Sequence, residues 1–110
     1  MLQQKFKQFV NKVVATTARE VVYTCPTDVE CVILKDFTVL NDNEAGQDAI
    51  VVEMWINGVK FGHHELDSRA TIFGEKAWTI VLNPGETIEL KVSTANKISV
   101  YMSGAEFRNV

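Results

Sequence analysis

The chain has 110 residues, 46% of them hydrophobic, with a net charge of -3. That length fits one domain, and the apolar share argues against disorder. The charge balance and a pI near 5.3 lack the basic footprint of proteins that neutralise phosphate, so nucleic-acid binding is not expected. No apolar run approaches the roughly 18 residues that span a membrane. The lysine-bearing N-terminus has no continuous apolar segment of the signal-peptide kind, so synthesis and folding in a cytosol are expected.

Along the chain, residues 1–19 show a helical period. Leu2, Phe6, Phe9, Val10, Val13 and Thr17 recur at spacings of three and four, opposite Gln3, Gln4, Lys5, Lys7, Gln8, Asn11 and Lys12. This spacing predicts an N-terminal amphipathic helix. A helix this short is marginal in water, so its stripe must lie against something.

Residues 20–110 read as strands. Glu20 to Cys25 is rich in β-branched and aromatic residues and stops at the turn Pro26-Thr27-Asp28. Val29 to Leu40 forms a long strand whose alternation breaks at Lys35-Asp36, the mark of a bulge or corner. A polar loop spans Asn41 to Asp48. Ala49 to Ile56 and Val59 to Phe61 flank Asn57-Gly58, a strong hairpin signal.

Gly62 to Thr71 fits neither period. Lys76 to Leu82 predicts a strand with Trp78, Ile80 and Leu82 on one face, closed by Asn83-Pro84-Gly85. Thr87 to Val92 alternates, with Ile88, Leu90 and Val92 inward. After the turn Thr94-Ala95-Asn96, Ile98, Val100 and Met102 share a face, and Gly104 marks a bulge. Seven or eight short strands with turns about ten residues apart predict a mainly β fold, a single antiparallel β-sandwich of jelly-roll-like form.

Few residues invite chemistry. His63 and His64 are adjacent, so on a strand they point to opposite faces and cannot easily share an ion. Asp42, Asn43, Glu44 and Asp48 make an oxygen-rich loop that lacks the EF-hand spacing. Ser68 and Ser93 have no partner pattern, and no phosphate-binding or dinucleotide fingerprint occurs. Cys25 and Cys31 are expected as free thiols acting as small hydrophobes. No catalytic residue, metal or cofactor is assigned. Trp55 and Tyr101 are the side chains that would stack on a sugar ring if exposed, whereas Trp78 is expected in the core.

Three stretches together carry a resemblance: Val21 to Pro26 followed by Cys31 to Asn41; Ala49 to Phe61, a strand, a tight turn and a strand; and Leu82 to Leu90, with its Asn83-Pro84-Gly85-Glu86 turn, closing with Ile98 to Phe107 and its Ser103-Gly104-Ala105-Glu106 run. Their layout resembles small jelly-roll-like β-sandwich proteins of tailed-bacteriophage virions over about Val21 to Phe107. Cys25 and Cys31 stand where that group has valine or a small residue, and it has no fixed set of functional residues to carry over.

The resemblance implies a non-enzymatic virion structural protein, located in the virion, either a capsid decoration subunit or a head-fibre subunit. Its partners would be other capsid or tail proteins and sister copies, with a homotrimer favoured. Leu2, Phe6, Phe9, Val10 and Val13 are then the expected oligomer or partner contacts. The alternative is a carbohydrate-binding or receptor-binding module of a tail or baseplate using Trp55 or Tyr101, and only that reading calls for a glycan. An enzyme ranks last, for want of a partnered nucleophile, base or metal set.

Overall fold

The computed structural model describes residues 1–44, 46–69, 71–73 and 79–110, with residues 71–73 described by their backbone only. Nine strands occur among the described residues: β1 (Leu2–Val13), β2 (Glu20–Thr24), β3 (Cys31–Asn41), β4 (Ile50–Ile56), β5 (Val59–Leu66), β6 (Thr71–Phe73), β7 (Ile80–Leu82), β8 (Thr87–Val92) and β9 (Ile98–Asn109). They form two antiparallel sheets. One has the order β1-β9-β3-β6, with β7 also on β3; the other has the order β2-β8-β4-β5. β6 pairs with Thr38–Leu40 and β7 with Val32–Leu34, so both lie along the same edge of β3.

The pairing is nested about one hairpin. β4 and β5 meet at Asn57-Gly58, whose φ angles of 49° and 83° are those a tight hairpin turn of right-handed twist demands. Around that hairpin, β3 pairs with β6 and β7, β2 with β8, and β1 with β9. The inner faces share one core. Val32, Leu34, Val39, Val100 and Met102 from the first sheet meet Val52, Met54, Ile88 and Leu90 from the second, a sandwich-like arrangement. Asn41, fully buried at the end of β3, is satisfied because its Nδ2 donates to Leu66 O of β5 (2.9 Å) and its Oδ1 accepts from Asn43 N (2.9 Å).

The helix predicted over residues 1–19 is not formed; Leu2–Val13 is a strand. Spacings of four belong to both periods, because four residues are two strand repeats and nearly one helical turn. What decides between them is a partner some hundred residues away. β1 pairs with β9 from Leu2↔Asn109 to Val13↔Ser99, and such a ladder overrides the modest helix preference of Lys, Gln and Leu.

The register slips by one between Gln8 and Val10, leaving Phe9 as the extra residue of a bulge. The slip moves the apolar side chains from one face to the other. Leu2 and Phe6 point outward, whereas Val10 and Val14 are buried. A second slip, between Leu34 and Asp36, falls where alternation broke in the sequence.

The two bulges flank the same stretch of β9. Both fall at Ser103, and beside it Gly104, level with Lys7 and Leu34, sits so close to β3 that a Cβ on it would lie 2.0 Å from Ile33 O. Val81 and the turn at Asn83 follow the predicted pattern: Ile80 and Leu82 face inward, and Glu86 N donates to Asn83 O (3.0 Å). Trp78, expected beside them, lies outside the described residues.

Candidate functional site: the outward faces of the two sheets

The two outward faces differ in chemistry. On the β2-β8-β4-β5 sheet ion pairs mark the outward face, with exposed Val21 and half-buried Trp55 among them. Lys60 Nζ donates to Glu53 Oε1 (3.1 Å), His63 Nδ1 lies 3.2 Å from the same oxygen, and Arg19 Nε donates to Glu89 Oε2 (2.7 Å). The Lys60 hydrogen bond outweighs partial desolvation and, with the charges of Lys60, His63 and Lys91, holds the Glu53 carboxyl below its ordinary range. Exposed pairs of this kind contribute little stability and keep a surface wet.

The outward face of the β1-β9-β3 sheet is built otherwise. Directly opposed residues share a face, so the register gives its rows: Leu2 with Asn109; Gln4, Phe107 and Cys31; Phe6, Ala105, Ile33 and Val81. None of these side chains carries a charge. Phe6 is 70% exposed, Leu2 57% and Val81 52%, and they frame the half-buried Ile33 and Phe107. Farther along, Tyr101 and Val13 are also exposed.

Between these parts an open groove of about 440 Å3 is lined by Phe6, Lys7, Gln8, Lys35, Asp36, Tyr101, Ser103 and Gly104. It lies where the two bulges bend β1 and β3 apart from a straight ladder. Ser103 Oγ donates to Asp36 Oδ2 (3.1 Å) on its floor.

The five residues expected to make one stripe are therefore divided. Leu2, Phe6 and Val13 stand outward and exposed. Val10 is core, and Phe9 is half-buried at the bulge with its ring 5.2 Å from that of Tyr23. The sequence reading did not find Ile33, Val81 and Phe107, because only the strand register brings them beside Phe6.

The two candidate sugar-stacking residues are not brought together. Trp55 lies on the ionic face of one sheet, with the Arg19 guanidinium 4.3 Å from its ring centroid and Lys60 Nζ at 5.7 Å. Tyr101 lies on the outward face of the other sheet.

Beneath the termini, on the inner face, is one buried ionic group. Glu106 is 2% exposed; Arg108 Nε donates to its Oε1 (2.6 Å) and Lys7 Nζ to its Oε2 (3.4 Å), while Arg108 also reaches Asp28 Oδ2 (2.6 Å). Burial would raise the Glu106 carboxyl, but Arg108 and Lys7 outweigh it and hold it below its ordinary range. Nearby, burial together with Cys25 and Glu106 pushes the Tyr23 hydroxyl up to about 12, and that hydroxyl has no hydrogen-bond partner among the described residues.

Cys25 is a buried thiol whose Sγ lies 3.6 Å from Leu82 O, and Cys31 is half-buried; both are free. His63 and His64 lie on β5, and their register partners Glu53 and Val52 face opposite sides of the sheet. Among the described residues no three His, Cys, Asp or Glu side chains are grouped closely enough to hold a metal ion. Compared with models of known protein families and with curated proteins, the chain matches none.

Proposed function

We propose that the protein is a non-enzymatic structural subunit of a tailed-phage virion, a capsid decoration or head-fibre component that works by association. The observation that carries the associative part is the uncharged stretch of the outward face of the β1-β9-β3 sheet from Leu2 to the Phe6 row, with Phe6, Leu2 and Val81 exposed around Ile33 and Phe107. Protein–protein contact surfaces lose charge and gain aromatic residues at their centre, and an exposed contiguous apolar patch marks such a surface. The ionic face of the opposite sheet is the kind that remains in water.

The virion assignment rests on the sequence resemblance, and the strand order supports it. Nested pairing of β4 with β5, β3 with β6 and β7, β2 with β8 and β1 with β9 is the order of a jelly roll, a fold frequent in capsid proteins. A homo-oligomer built by this protein would use the sheet face, because the stretch expected to form a helical seam is the strand Leu2–Val13. The sugar-binding alternative gains nothing from the geometry, since Trp55 already has Arg19 on its ring.

Two observations test the virion reading. The gene is expected among capsid, portal or tail genes, and peptides of the chain are expected in purified particles at stoichiometric level. A gene embedded in a metabolic operon, or particles free of the chain, would contradict it.

A further inference from the structure

β1 is the outermost strand of its sheet, and one of its two hydrogen-bonding edges is not used by β9. Which backbone groups point outward follows from the ends of the ladder. Val110 N donates to Met1 O (2.7 Å), and the Met1 ammonium donates to Val110 O (2.6 Å), so Met1 and Val110 form a hydrogen-bonded pair. In an antiparallel ladder such pairs alternate with pairs that turn their amides away from each other.

Gln4 faces Phe107, and Phe107 O accepts from Glu30 N on its far side (2.8 Å), which fixes Gln4 as one of the outward residues. By the same alternation Leu2, Phe6 and Gln8 turn their N–H and C=O groups to the free edge. Up to the bulge at Phe9 this is a straight stretch, and its side chains are exposed on both faces.

Natural proteins blunt such edges with bulges and lysines. Here Lys5 and Lys7 stand on the inner face of the stretch, opposite Glu106 and Gly104, while Leu2 and Phe6 stand on the outer one. No acidic residue occurs before Glu20, the first of the 14 Asp and Glu. Lys7 is paired with Glu106, but Lys5 has no ion pair among the described residues. A sister β1 laid antiparallel on this edge would set lysines against lysines. A foreign strand with acids on one face and apolar side chains on the other would match both faces at once.

We propose that the free edge of β1, from Leu2 to Gln8, binds an extended strand of a partner protein in which acidic and apolar residues alternate. This rests on the reading of the protein as an assembly subunit, and it adds the mode of docking: a strand joins the sheet, its acids against Lys5 and its apolar side chains continuing the Phe6 row.

The test uses the full chain and a blocked peptide of alternating glutamate and valine, with alternating lysine and valine as control, both followed by calorimetry. The glutamate peptide is expected to bind and the lysine peptide not to. Gln4→Pro removes one outward N–H without touching the β1–β9 ladder, so the protein should melt as the wild type does and bind the glutamate peptide about tenfold more weakly or worse.

Lys5→Glu should reverse the preference between the peptides. Equal binding of both peptides, binding untouched by Gln4→Pro, or no binding by either would overturn the proposal. So would a wild-type dimer that Gln4→Pro dissociates, since a sister strand would then occupy the edge. Phe6→Asp separates the two readings: loss of particle association in Phe6→Asp with full association in Gln4→Pro keeps the apolar face and rejects the strand mode.

Discussion

Gly104 shows how one residue holds the geometry of the outward face. It stands next to Ser103, where both bulges fall, and a methyl group there would meet the backbone of Ile33 rather than a side chain that can move aside. Gly104→Ala is expected to force β3 and β9 apart and cost about 2–4 kcal/mol, read as a drop in melting temperature. Glu106 is the residue that links stability to pH. Its carboxyl is held below the ordinary range in the folded chain, so the stability it confers is present above that range and is lost as pH falls through the folded value. Glu106→Gln should flatten the dependence of melting temperature on acid and cost about 1–3 kcal/mol near neutral pH. Tyr23→Phe, by contrast, removes a hydroxyl with no partner among the described residues, and the variant should be as stable as the wild type or more so.

Among the elements, β1 separates what could be read locally from what could not. The hairpin at Asn57-Gly58, the turn at Asn83-Pro84-Gly85, the break at Lys35-Asp36 and the alternation of Thr87 to Val92 were all legible, because turn chemistry and a period of two act within a few residues. β1 was not. Its apolar spacing of four suits a helix equally, and its true partner β9 lies at the other end of the chain. The candidate site was half legible for the same reason: Leu2, Phe6 and Val13 were named, but Ile33, Val81 and Phe107 join them only through the register. The strand has a direct consequence. Val14→Ala, in the core, should cost about 2 kcal/mol, whereas Phe6→Ala, on the outward face, should shift stability by no more than about 0.5 kcal/mol. Thermal melts of the two variants check this; a large loss in Phe6→Ala would mean that its ring is packed rather than presented.

As a whole the molecule is long and narrow, 53 × 23 × 22 Å, with its two chain ends paired at Met1 and Val110. One broad side carries ion pairs and the other is uncharged from Leu2 to the Phe6 row. That asymmetry is the central feature, because a free-standing sandwich gains nothing by exposing phenylalanine, leucine and valine together on one sheet. The trimer favoured from the sequence, like attachment to a capsid or tail protein, then becomes a matter of what this face meets. The most direct measurement is co-sedimentation of wild type and Phe6→Asp with purified particles of the phage in which the proposal places the chain, with melting temperatures read on the same samples. The account predicts that the wild type sediments with particles while the variant, folded and melting as the wild type does, stays in the supernatant. Equal sedimentation of both proteins would contradict it.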